Sequence, residues 1–346
     1  MARVLPWPEP RVLAEAGVAL ACLVLVKAAL IALDPSLRFF LGDSATYYYA
    51  AIDGWVPADR SFTYPWLIRY AVLPTGSAHA LLWLQSLFGV ACGLLLILWL
   101  RWAGLPRAWA LLAGLLCVLE PSQLFYERMM MAESAGQLAL VAMLSFAAAY
   151  VGGARPIGLW IVGMALAGMA AVSMRMSLLP VVLGLSILTP FLRALCVGPV
   201  QAGDRRWAGA FRLVGHVLLV MLVTALVHGQ YKSFYGRISG TEAAYMRASG
   251  QMRLGLVAPL VKREHIERAG LPADLLDRVE HRLDDPRTRG AQLWRSDGLW
   301  LQLLQAVEAG EAEGLPSPTP WTANLHAHRL ASNISAMALK DDPIGL

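Results

Sequence analysis

The chain has 346 residues, of which 57% are hydrophobic and only 15% charged, with a mean hydropathy of +0.53. A soluble domain of this length could not hide so much apolar surface in one core, so a bilayer is the expected solvent. The formal charge of +5 comes from dispersed basic residues, not from an interleaved basic and aromatic patch, which argues against a nucleic-acid partner. Cys22, Cys92, Cys117 and Cys196 lie in or beside apolar runs without paired spacing, which argues against a disulfide framework or a zinc site.

About seven runs approach the ~20 apolar residues that a helix needs to cross the hydrocarbon core. In chain order they are Leu13 to Leu33, His79 to Leu100, Leu105 to Leu119, Ala135 to Val151, Ile157 to Val172, Leu178 to Val197 and Leu213 to Val227. The first is long enough to be a retained anchor instead of a cleaved signal. Lys27 within it should face the bundle interior or snorkel, and its place near the outer third makes snorkelling the simpler account. With a cytoplasmic N-terminus, nine arginines of the short loops fall inside and five (Arg38, Arg60, Arg69, Arg128 and Arg175) fall outside, the bias expected for that orientation. The expected architecture is therefore all-helical. Residues 1–228 form a polytopic transmembrane module, and residues 229–346 form a mainly helical soluble segment on the outer side.

That last segment carries 14 basic and 14 acidic residues and no run long enough to span. Leu275 to Leu283 and Leu299 to Val307 have helical apolar spacing, Gly310 to Thr319 reads as a loop, and Ala331 to Leu339 reads as an amphipathic helix.

The first outer loop, 34–77, holds the densest chemistry. Tyr47, Tyr48, Tyr49, Trp55, Tyr64 and Trp66 among its charges fit short helices lying in the headgroup layer, since these rings have an apolar body and a polar tip. Asp43 there can act as a base on a hydroxyl within hydrogen-bond reach. On local chemistry alone, Asp43 or Ser44 is an N-cap for a helix from about Ala45 to Asp53. Two further outer segments carry charge: Glu120 to Ser134, with Glu127, Arg128 and Glu133, and Ser173 to Ser177, with Arg175. Arginine presents a planar fork to phosphate oxygens and stays charged; its bland alternative here is to snorkel into the headgroup layer. Met129 to Met131 reads as adaptable packing and not as a metal site.

Taken in order, Asp43, the Tyr47 to Tyr49 run, Arg60 with Tyr64-Pro65, Pro121 with Tyr126 and Glu133, and Arg175 resemble the membrane-embedded glycosyltransferases of the GT-C superfamily. The closest likeness is to its protein mannosyltransferase and aminoarabinose transferase branch, and it covers about Arg11 to Val227. The resemblance implies transfer of a sugar from a polyprenyl-phosphate donor to a lipid, glycan or protein acceptor at the outer face of a cell (inner) membrane. It implies Asp43 as the base and Arg60, Arg128 and Arg175 on the donor phosphate, with Tyr64, Glu127 and Glu133 supporting the site. Some relatives use a divalent cation, and Asp43, Asp53 and Asp59 are the loop carboxylates that could hold one. Two other classes stay open: a lipid head-group carrier, which should show broken helices or polar residues near the midplane, and a noncatalytic or truncated subunit, which should leave Asp43, Arg60 and Arg175 far apart.

Overall fold

The computed structural model describes residues 10–57, 60–197, 206–240, 242–246, 249–279, 298–313 and 320–343. Among them there is no strand, only helices, short turns and one isolated bridge. The chain divides into two compact units, Met1–Tyr245 and Met246–Leu346. The division falls beyond His228 because the last long apolar helix continues to Ser239.

In the first unit, α1 (Pro10–Leu33), α4 (His79–Trp102), α7 (Glu133–Val151), α8 (Ile157–Met174), α9 (Leu179–Val197) and α10 (Arg206–Ser239) contain the six stretches long and apolar enough to cross a membrane. The expected third crossing is different. It is a pair, α5 (Arg107–Leu119) and α6 (Pro121–Arg128), bent by 47°, which brings the number to seven if the pair is one broken span. The break has a local cause. Proline at 121 has no N–H to donate and forces Glu120 into an extended conformation (ψ 127°), ending α5. The same proline suits the first turn of α6, and the Glu120 carboxylate accepts the Gln123 N–H at 2.7 Å as its cap.

α4 packs closely on α5 and α6 because it carries glycine where they approach. A Cβ on Gly93 would lie 2.7 Å from a Val118 methyl, and one on Gly89 would lie 2.0 Å from Glu127 Oε1. Leu23, Val90, Ile97, Ala110 and Val118 fill this side of the bundle, and Met143, Tyr150, Ile161, Met164 and Val182 fill the α7 to α10 side.

Two short helices occupy the loop after α1: α2 (Leu41–Asp53) and α3 (Thr63–Leu67). Gly54, at φ 78°, ends α2 in the left-handed conformation that glycine adopts without steric cost. α2 starts earlier than its composition suggests, so neither Asp43 nor Ser44 is its N-cap. Phe40 holds that position, Asp43 lies in the first turn, and the Ser44 hydroxyl reaches back to accept the Phe40 N–H at 2.7 Å. At 34 residues α10 is ~50 Å long, more than a ~30 Å hydrocarbon core requires. Its last turns place Tyr231, Phe234 and Tyr235 against Phe62, with ring centroids 5.7–6.1 Å apart.

The second unit contains α11 (Ser249–Val257), α12 (Arg263–Arg268), α13 (Leu299–Glu308) and α14 (Pro320–Asp341). α13 matches the expected helix. The stretch from Leu275 instead forms a 3-10 turn, Ala273–Arg278, and residues 280–283 and 314–319 lie outside the described residues. α14 buries Ala323, Ala327, Ala331, Ile334 and Ala338 at helical spacing, a small-residue stripe that lets α11 sit close. The expected amphipathic helix at Ala331 to Leu339 is thus the second half of α14, a helix packed along both halves.

Candidate functional site

The loop after α1, the α6–α7 connection and the α8–α9 turn meet at one end of the first unit. Backbone joins the first two: the Arg38 N–H donates to the Arg128 carbonyl at 2.7 Å and the Met130 N–H to the Arg38 carbonyl at 3.1 Å. The Ser44 hydroxyl adds a bond to the Met130 carbonyl at 3.0 Å. The third joins through Thr63, whose hydroxyl donates to the Ser173 carbonyl at 2.9 Å. Tyr47, Tyr64, Ile68, Leu81, Met130 and Ala132 form the core beneath them, with Met174 packed against it.

Each predicted arginine sits in an ion pair with an acid. Arg60 Nη1 lies 2.6 Å from Asp43 Oδ1, and its guanidinium sits 5.9 Å above the Tyr47 ring. Asp43 keeps 44% of its side chain exposed, so its carboxylate remains reachable. Arg175 pairs with Glu133 at the start of α7 and also donates to the Ser177 hydroxyl at 3.2 Å. Arg175 is about half exposed while Glu133 is largely covered. A guanidinium has five N–H donors, so one carboxylate does not exhaust it. Arg128 is more enclosed: it donates to the Leu30 carbonyl at the end of α1, at 3.0 Å, and pairs with Asp34 at 3.3 Å. Asp34 in turn accepts from the Ser36 hydroxyl and backbone and from Arg38. The Ser36 bonds, followed by the two guanidiniums, hold the Asp34 carboxyl below its ordinary value.

Tyr64 and Glu127 are not at the surface. Tyr64 is fully buried, its ring edge-on to Tyr47 at 4.9 Å and its hydroxyl donating to Gln85 Oε1 at 2.6 Å. Burial raises its phenol well above the ordinary range. Glu127 is buried in the bundle, paired with Lys27. The Lys27 ammonium reaches Glu127 Oε2 at 2.7 Å, Glu127 Oε1 at 2.9 Å and the Val118 carbonyl at 2.6 Å. Lys27 is therefore not snorkelling. It satisfies a carbonyl freed where α5 breaks, together with the acid that α6 brings in, and Gln123 Nε2 adds a bond to Glu127 at 2.8 Å. Nothing in apolar periodicity pairs residues 100 positions apart. The one available signal is Lys27 itself, since a lysine that stays within a crossing needs acceptors there, but it does not say which acid supplies them.

Beside this end of the unit lies an open apolar groove of about 490 Å³, within the size range of small-ligand sites. Phe62, Thr63 and Trp66 form one wall, α8 from Leu166 to Ser173 a second, and α10 from Leu226 to Phe234 the third. It therefore runs along two of the candidate membrane spans and ends at the Thr63–Ser173 contact. None of the predicted charged residues lines it; Arg175 follows Ser173 by two positions.

Among the described residues, Asp43 and Asp53 do not converge on a cation. Asp43 and Asp53 stand ten residues apart on α2, ~15 Å along the axis. Asp59 lies outside the described residues, and no group of three acidic, histidine or cysteine side chains able to hold a metal occurs among the described ones. Met129, Met130 and Met131 are buried packing residues. The architecture is that of an all-helical protein with several helices able to cross a membrane. No protein-family model, no curated protein and no solved structure matches the chain.

Proposed function

We propose that this protein is a membrane glycosyltransferase of GT-C type, moving a sugar from a polyprenyl-phosphate donor to an acceptor hydroxyl or amine at the outer face of a cell membrane, with its N-terminus cytoplasmic. The observation that carries the reading is the meeting of three distant segments, bearing the Asp43–Arg60 and Glu133–Arg175 pairs, beside a groove open along two apolar helices. A prenyl chain suits the groove, and its phosphate would emerge near Ser173 and within reach of Arg175. In the transfer, the acceptor oxygen or nitrogen bonds to the anomeric carbon. The bond from that carbon to the phosphate oxygen breaks, its electron pair leaving with the phosphate, and the acceptor proton passes to Asp43. Arg60 holds the Asp43 carboxylate in place, and Arg175 stabilises the departing phosphate as a preorganised cation. Arg128 is a brace, fastening α6 to the end of α1. By its resemblance, the enzyme inverts the anomeric centre. No step is assigned to a metal.

A carrier for a lipid-linked head group is the second reading, favoured by the broken α5–α6 pair and the buried charges at the break. Against it, the three protons of the Lys27 ammonium have three acceptors within the protein, which leaves no donor for cargo. Purified protein in sealed proteoliposomes, incubated with radiolabelled polyprenyl-phosphate sugars and lipid or peptide acceptors, decides between them. Transfer by the wild type, reduced ~100-fold or more in a folded Asp43→Asn variant, is the expected result. Full activity of that variant, or movement of intact donor across the bilayer without transfer, overturns the proposal.

A further inference from the structure

Gln85 carries no signal in the sequence, yet it joins the parts of this site. It lies on α4, fully buried, with both ends of its amide engaged. Nε2 donates to the Glu127 carbonyl at 2.8 Å and the Met129 carbonyl at 2.9 Å, while Oε1 accepts the Tyr64 hydroxyl at 2.6 Å. Two carbonyls can only accept, so the amide has one workable orientation and the Tyr64 hydroxyl must donate. One side of Gln85 thereby holds the end of α6, from which the chain runs to Glu133 and its partner Arg175. The other side holds Tyr64, against whose ring Tyr47 packs, with Arg60 and Asp43 above.

We infer that Gln85 is a positioning residue: it fixes the Asp43–Arg60 pair relative to the Glu133–Arg175 pair without touching substrate. Its consequence for turnover rests on the transferase reading; its role as a clamp does not. A base displaced by ~1 Å loses on the order of 100-fold in rate, so a side chain that sets this spacing is expected to act on kcat and not on donor affinity.

Gln85→Leu keeps similar volume and removes all three bonds, whereas Tyr64→Phe removes the bond to Oε1 and leaves the two from Nε2. The expected result with radiolabelled polyprenyl-phosphate sugar is a kcat lowered ~100-fold in Gln85→Leu and ~10-fold in Tyr64→Phe, per folded molecule, with KM within ~3-fold of wild type. The double variant should be no worse than Gln85→Leu, because the two changes remove a shared bond. Amide hydrogen exchange read separately should quicken ~10-fold at residues 63–68 in both single variants and stay unchanged in α8. A merely structural glutamine would lower melting temperature while leaving kcat per folded molecule at the wild-type value, and that result overturns the inference. If Gln85→Leu does not fold, Tyr64→Phe decides alone, and unaltered exchange at residues 63–68 sinks the clamp. If the wild type transfers sugar from no donor, the transferase reading fails, while the exchange measurement still decides the clamp.

Discussion

Lys27 and Glu127 form an ion pair at 2.7 Å in which neither side chain is more than 2% exposed. Removing one partner of such a pair strands a charge in an apolar interior, which costs ~3–5 kcal/mol. Lys27→Met and Glu127→Leu should each lower stability by about that amount, and the double variant should recover most of the loss because no charge is left behind. Denaturant unfolding in detergent micelles reads both; additive losses in the double variant would show that the pair is not coupled.

Gly89 gives the Glu127 carboxylate its space, since an added methyl would sit 2.0 Å from Oε1. Gly89→Ala should cost ~1–3 kcal/mol from overpacking. The cost should shrink in a Glu127→Ala background, a non-additivity that a double-mutant cycle measures directly.

How much of this could be read beforehand differs by element. The long crossings are legible because run length against hydrocarbon thickness is a property of single stretches. The α5–α6 bend was half visible in Glu120-Pro121, but whether a proline there ends a crossing or starts a return depends on what the second half packs against, here α4. Asp43 and Arg60 share one loop, and their pairing is what a short connection permits. Gln85 and the Lys27–Glu127 pair were not legible as partners, because contacts between crossings leave no periodic trace and a lone glutamine in an apolar run reads as tolerated polarity.

Ala170 faces the groove from α8. Ala170→Trp should fill it and raise KM for a polyprenyl-phosphate sugar ~10-fold while kcat stays near wild type, the pattern of lost ground-state binding. A steady-state comparison with the same sugar on a short water-soluble prenyl chain checks the cause, since that donor should lose less.

Asp34 supplies the pH dependence. Its carboxyl is held below its ordinary 3.8 in the folded state, by Ser36 first and then by Arg38 and Arg128. A depressed folded value means that the carboxylate's contribution is present above the unfolded value and lost as pH falls through the folded one. Asp34→Asn should therefore melt lower than wild type at pH 7, and the gap should narrow as pH falls below the ordinary 3.8 and close only below the depressed folded value. Thermal unfolding from pH 7 down through that window measures it; a gap that does not narrow at all as pH falls below 3.8 would assign the effect to packing.

The bridge between Arg38 and Met129 is built wholly of main chain, from an N–H of Arg38 and an N–H of Met130. Exchanging the Arg38 or Met129 side chain leaves both of these bonds in place, so such a change is a poor probe of whether the two loops travel together. Proline is the informative change, because it alone deletes the amide proton. Placed at 38 or 130, it would delete one of the two main-chain bonds and leave the other, together with the Ser44 hydroxyl on the Met130 carbonyl, so the two positions report separately on the halves of the bridge.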